Sequence, residues 1–435
     1  MNSTFLTGSI AIGAALACAP ALADNNSPLL IQNAPVYSFS AFGTLGVVQT
    51  NTNDAIYTTG NEVEGATKHA NMGPDSKVGA QLDAKFNDVF SATLQVFSKQ
   101  NGVSSYAPDV EWAFGKLKLG DGFDLRLGRI GAPFFMTSDF RNVGYTNLTV
   151  RTPFDVYGLV PVRSFDGGDI LYRTDIGSTT LNGQVWLGKS GVRIGQNNEG
   201  DEDIVLHNIA GINFSAENGP LTVRFGTMKT RFGVSTATSG TGLAGFNGLL
   251  GGLNQLGAYP GLGELTTIAD ELSINGKFAS FTGVGAVLDT GNWVVNTEYV
   301  KRRTESTYIA SANAWYATLG YRIDTFTPYV SFSNRKVTST SSYPQVAVPG
   351  FYPPEVQQTV PFLVGSVNGA LTTTNESTSA LGVRWDAGKN YDVKAEFQQI
   401  RVPANSAGAF GNISTGVFLV DTKVNVVTVA VDFVF

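Results

Sequence analysis

The sequence predicts an all-β chain, a transmembrane antiparallel β-barrel of about sixteen strands. Three observations lead there. Segment after segment alternates apolar and polar side chains with a period of two. The connections between them switch strictly between short turns and long loops. The chain also closes on an alternating strand, Val427 to Phe435, whose residues 427, 429, 431, 433 and 435 are apolar and whose opposite face carries Asp432.

At the amino end, the apolar stretch Ile10 to Ala17 followed by Ala21-Leu22-Ala23 reads as an export signal with a small-residue cleavage site. Residues 1–23 are expected to be removed, leaving 24–435 as one barrel domain. Met1 to Ser9 contains no Lys or Arg, so the positive end rests on the α-amino group. Cys18 raises a lipid-anchored alternative, but Leu16 stands one place from where such a signal wants it. Loss of 1–23 removes the only cysteine, and with it any disulfide or thiolate site.

A barrel strand needs about 9–11 residues, apolar toward lipid and polar toward the lumen. The pattern places strands near 37–50, 76–86, 88–99, 109–119, 122–132, 167–175, 179–188 and 203–216. It places the rest near 220–231, 270–288, 291–303, 311–322, 325–337, 378–386, 390–402 and 421–435. Tight connections such as Asn87-Asp88, Gly120-Asp121 and Glu217-Asn218-Gly219 carry hairpin residues. Between them lie long connections, notably 51–75, 133–166, 232–269 and 338–377. A soluble sandwich also alternates, but gives no reason for short and long connections to take turns. The phase slips at 112–119, at 127–129 and around Ser280, and β-bulges are expected there.

Composition agrees. Only 15% of the 435 residues are charged and 50 are glycine, against about 25% and 7% in ordinary soluble domains. No run approaches the ~18 apolar residues of a membrane helix. A net charge of −6 argues against a nucleic-acid partner.

Alternation directs Lys77, Lys85, Arg126, Arg173, Arg224, Arg322, Arg384 and Lys394 into the lumen. The acids Asp83, Asp169, Glu298, Asp392, Glu396 and Asp432 are directed there too. Facing lipid at the midplane would cost an Arg or Lys about 2–4 kcal/mol.

Several stretches resemble the Gram-negative porins of proteobacteria: Phe39 to Gly46, Glu111-Trp112, Leu127-Gly128-Arg129-Ile130, and Arg151 to Gly158. The likeness is best over 37–190 and at the closing strand. It implies a homotrimeric, sixteen-stranded diffusion channel in the bacterial outer membrane, facing lipid outside, with the third extracellular loop folded inward. The final Phe435 resembles the residue that barrel-assembly machinery reads.

That loop would be 133–166. It is rich in aromatic residues and carries Asp139, Asp155, Asp166, Arg141, Arg151 and Arg163. Opposed charges in a constriction set ion selectivity, and external solvation of the same charges is the plainer alternative. From the wall, Arg126, Arg173, Arg224, Glu298 and Arg384 are expected to join the pore lining. Arg126 and Arg173 come first because their strands flank the loop.

Other motifs carry less. Gly183 to Ser190 matches the phosphate-loop pattern, but its residues alternate as a strand and no helix follows. The two histidines, His69 and His207, stand beside no partnered nucleophile, and His207 is expected on the lumen side. The acidic run Glu199 to Asp203 suits a solvated loop better than a cation site. The apolar stretches 238–263 and 343–364 would plug the mouth, pack over it or meet neighbouring subunits. The expectation is therefore a passive diffusion channel for small hydrophilic solutes and ions, with no catalytic residue, cofactor or metal. The alternatives are a channel specific for an anion or organic acid, and a surface adhesin or structural anchor.

Overall fold

The computed structural model describes residues 34–435 except 61, 63, 103, 196–200, 237–240, 340–341, 372 and 412–417. The expected signal segment 1–23, with Cys18, lies outside the described residues, as do Glu199 and Gly200. The chain forms sixteen strands. They are β1 Val36–Thr50, β2 Lys77–Lys85, β3 Phe90–Lys99, β4 Asp109–Gly120, β5 Phe123–Gly131, β6 Ser164–Ile176, β7 Thr179–Gly195 and β8 Asp201–Asn218. The second half comprises β9 Leu221–Thr236, β10 Phe278–Asp289, β11 Trp293–Thr304, β12 Ala312–Tyr321, β13 Phe326–Val337, β14 Glu376–Trp385, β15 Tyr391–Val402 and β16 Thr422–Val434.

Each strand pairs antiparallel with its neighbours, and β16 returns to β1 (Val47 opposite Val429), so the sheet closes and no edge remains. Outside, Val78, Phe225, Val284, Trp315, Phe332, Leu381, Val427 and Val429 stand exposed as an apolar belt, which only a bilayer can cover. Aromatic pairs close the short-turn end of the belt: Phe123 with Tyr172 at 4.5 Å between ring centroids, and Trp293 with Tyr321 at 4.6 Å. No described helix is long and apolar enough to cross a membrane.

The expected phase slips have three different causes. The first is a bulge: register shifts between Gln95 and Val96 opposite Glu111, turning both Glu111 and Trp112 inward. At 127–129 there is no bulge. Ile130 is buried inward, Leu127 is exposed, and Arg129 shares the outward face, paired with Asp166 at 2.7 Å. At Ser280 the register is also unbroken, and Phe281 turns inward because loop aromatics await it there.

Strand β10 starts at Phe278 rather than near 270, because the preceding residues are helical. Helices α2 (Thr241–Gly257), α3 (Glu264–Leu272) and α4 (Pro354–Ala370) grow from two long loops. A shorter helix, α1 (Phe154–Tyr157), lies in the third loop. Leu265, Ile268, Ala269 and Leu272 recur at helical spacing and pack with Leu253, Val360, Val364 and Val367 into a separate dry core. The described parts of the apolar stretches, 246–263 and 343–364, thus pack largely on each other. Tyr343 Oη donates to Glu271 at 2.7 Å and Ser306 Oγ to Leu272 O at 3.0 Å, tying α3 to neighbouring loops.

Residues 183–190 lie within β7, a continuous strand, so the phosphate-loop match forms no phosphate cradle. A second irregularity at 207–210, with Asn208 at φ +52°, leaves His207 exposed opposite Arg231 rather than in the lumen.

Candidate pore and its inward loop

The connection between β5 and β6, residues 132–163, runs inside the barrel. An irregular segment in a lumen must find donors for its carbonyl groups. The wall from β9 to β15 supplies them. Arg224 donates to Pro133 O at 2.6 Å and also to Phe135 O. Arg302 reaches Leu159 O at 2.7 Å, and Arg335 reaches Asp155 O at 2.8 Å and Phe154 O at 2.5 Å. Arg384 donates to Tyr145 O at 2.7 Å and Asn147 O at 3.1 Å, while Lys394 Nζ donates to Gly144 O at 2.7 Å. Glu298 accepts from the Met136 N–H at 3.0 Å.

Packing reinforces these tethers. Phe135 stacks on Tyr157 at 4.3 Å, and Phe134 and Phe135 meet Phe281 edge-on. Gly144 lies so close to Asp432 and Thr44 that a Cβ there would collide with both. The loop therefore crosses the lumen and lies against the far wall.

Arg151 anchors its middle. The guanidinium is buried and forks onto Asp75 (2.9 and 2.6 Å), with further donations to Tyr57 Oη at 2.9 Å and Thr428 Oγ1 at 2.7 Å. Glu396 lies 3.7 Å away. Burial pulls this guanidinium down, but Asp75, Tyr57 and Glu396 outweigh it and hold the group above its ordinary range. Asp155 also points into the wall, accepting from Ser333 Oγ at 2.6 Å.

The other side of the loop stays open. A cavity of about 800 Å³ lies between it and the strands β2 to β5. Lys77, Lys99, Glu111, Arg141 and Arg163 line it. Lys77 and Lys99 stand directly opposite one another on β2 and β3. Lys99 pairs with Glu62 at 3.2 Å, whereas Lys77 has no carboxylate within 4 Å among the described residues. Glu111 accepts from Asn142 at 3.2 Å and faces Arg163 Nε at 3.4 Å. Arg163 lies over the Phe97 ring at 5.2 Å, and its Nη1 has no hydrogen-bond partner. Arg141 donates only to Val162 O, at 3.0 Å, and burial pushes it down to about 10, still protonated at neutral pH.

The expected pore residues are thus dispersed. Arg141, Arg151 and Arg163 reach the cavity. Arg224, Glu298, Arg384 and Asp155 instead hold the loop, and Asp139 is exposed. Arg126 is engaged by Asp169 (Nε at 2.9 Å), and Arg173 is exposed three residues before the end of β6 at Ile176, near the short-turn end. Asp166 also lines the cavity, at its edge: it pairs there with Arg129 and shares the strand parity of exposed Ile170, whereas Phe165 and Asp169 are buried inward. Sequence reasoning missed Lys99 and Glu111 as lining. Their signal was inward parity at the long-loop ends of strands that face the loop rather than flank it.

No family model matches the chain, and no curated protein does. Solved structures do. The chain is similar to Salmonella typhi OmpF in complex with daunomycin, at 13% identity and a TM-score of 0.52 over 92% of this chain and 97% of that one. It is similar to the outer membrane channel DcaP of Acinetobacter baumannii, at 9% identity and a TM-score of 0.50 over 92% and 97%. A loop L8 deletion mutant of OmpT, an outer membrane protein of Vibrio cholerae, matches at 11% identity and 0.49 over 93% and 100%. At these identities the likeness is one of fold: the chain is a closed barrel of the bacterial outer-membrane type. The expectation that the chain is not an enzyme is withdrawn. A fold held in common at 9–13% identity gives no ground for excluding catalysis.

Proposed function

We propose that this chain is a porin-like passive channel of the bacterial outer membrane, admitting small hydrophilic solutes and ions through the passage between the inward loop and the β2–β5 wall. One observation carries the reading: a loop pinned to one half of the lumen beside a polar cavity of about 800 Å³ on the other. Size would be sieved by the gap and charge by the side chains facing it. A second reading, a channel preferring anions or organic acids, is favoured by the cavity lining, where Lys77, Lys99, Arg129, Arg141, Arg151 and Arg163 outnumber Asp75, Asp109, Glu111 and Asp166. The resemblance to porins supports a homotrimer, and the terminal Phe435 supports insertion by barrel-assembly machinery.

Reconstitution in a planar bilayer tests this. Discrete ohmic conductance is expected, with a reversal potential in a KCl gradient that marks anions as the more permeant ion. A silent bilayer refutes the channel and favours an adhesin or anchor. Block by micromolar organic acid favours the specific channel over the general one.

A further inference from the structure

Outward-facing positions of β9 to β13 change character near the long-loop end. Below, they are apolar: Phe225, Val284, Tyr299, Trp315 and Phe332. One to three outward positions further toward the long loops stand Lys229, Arg231, Lys301, Arg303 and Lys336, every one exposed. Their orientation follows from parity, since the intervening Met228, Thr230, Val300 and Arg335 are buried inward.

Register brings the five together. Lys229 and Arg303 both flank Ser280 on β10, and Lys301 and Lys336 both flank Asn313 on β12. Strands stand about 4.8 Å apart, so each pair lies two strands, roughly 10 Å, apart. No outward position of these strands carries an acid. Glu305, which follows β11, accepts from the Phe278 N–H at 2.8 Å. None of the five cations has a carboxylate within 4 Å among the described residues. Arg231 stacks over Phe278 at 3.9 Å, and Arg303 uses Nη1 on carbonyl groups, so both are positioned as well as charged. Elsewhere on this rim Arg129 pairs with Asp166 and Arg401 with Asp421, and Lys423, opposite Arg401, is a single cation rather than part of such a cluster.

We infer that this patch is a binding site for the phosphate groups of an anionic, multiply acylated lipid in the leaflet on the long-loop side. Its acyl chains would lie on the apolar belt below and its phosphates between the two flanking pairs. A headgroup with two phosphates suits the spacing. Cations at this depth gain from anionic headgroups and fix phosphate through charge-assisted hydrogen bonds. The inference rests on the barrel and its register, and holds whether or not the lumen conducts.

Native mass spectrometry of the detergent-solubilised protein tests it, with diphosphoryl lipid A, its dephosphorylated form and phosphatidylcholine as probes. The wild-type chain is expected to retain the diphosphorylated lipid at least about tenfold more tightly than the other two. The Lys229→Gln, Lys301→Gln, Arg303→Gln and Lys336→Gln combination is expected to lose that preference, while Lys423→Gln, elsewhere on the rim, keeps it. Heat-modifiable migration on a gel verifies that the variant barrel is folded, and the comparison of lipids needs no variant at all. Equal retention of all three lipids overturns the inference. So does an unaltered preference in the combined variant, or a fall in its oligomeric mass, which would make this face an interface between copies.

Discussion

Arg151→Ala removes the buried centre of the loop's attachment. Asp75 loses both bonds of its fork, Tyr57 and Thr428 lose theirs, and Glu396 loses a cation 3.7 Å away. Breaking a buried pair by deleting one member costs about 3–5 kcal/mol, because the remaining charge stays buried. At about 1.4 kcal/mol per decade, the docked loop loses a factor of roughly 10² to 4 × 10³ against undocked positions. The barrel wall does not depend on this contact, and Arg224, Arg335, Arg384 and Lys394 still hold the loop elsewhere. The cost therefore appears as a loosened segment near 149–152 rather than as unfolding. Single-channel recording should show larger, noisier conductance, and liposome swelling should admit larger neutral sugars. Arg151→Lys keeps the charge without the planar fork and should fall between. Asp75→Asn combined with Arg151→Ala should cost less than the two single changes summed. Unaltered conductance, or strict additivity, would refute the role assigned to this residue.

Lys394→Met strips the cation lying 2.8 Å from Asp432 and 3.6 Å from Asp392 in a fully buried cluster, so urea unfolding should show a loss of about 3–5 kcal/mol. Gly144→Val drives a side chain into Asp432 and Thr44, lifting the adjoining turn, and open-channel current should rise with little change in barrel melting. Leu265→Asp places a charge in the dry core shared by α2, α3 and α4. Circular dichroism should lose helical signal while the β-sheet signal and heat-modifiable migration persist.

Strand order and inward parity were legible because two solvents enforce them residue by residue. Asp432, Lys394 and Glu298 all face inward, as alternation demanded, and Asp432 and Lys394 are completely buried there. Arg129 shows where that logic ends. At the long-loop rim a charge can face outward beside Asp166, so the apparent slip needed no bulge. The α3 helix was hidden because its repeat, Leu265 to Leu272, runs nearly into the start of β10: residues 270–272 extend the strand pattern, and 264–269 fall in the long connection. The division of charges between tether and passage was not legible at all. It depends on the loop's path, and that path is set by contacts such as Arg384 to Tyr145 O, 239 residues apart in the chain.

That path separates two jobs by wall. Guanidinium and ammonium groups of β9 to β15 hold loop carbonyls, whereas Lys77, Arg141 and Arg163 line the passage, Arg163 beside Glu111. Width and charge preference should then be alterable one at a time. Arg163→Gln removes a cavity-lining cation and leaves Glu111 without it, touching no side-chain tether, so reversal potential should shift toward cations while single-channel amplitude changes little. Arg224→Ala frees Pro133 O and Phe135 O on the far wall, so amplitude should rise and reversal potential stay near its original value. Measured in one bilayer series, the double variant should combine both effects, since the two side chains act on opposite sides of the loop. If Arg224→Ala alone inverts the ion preference, tethers and passage share one field and the separation by wall is wrong.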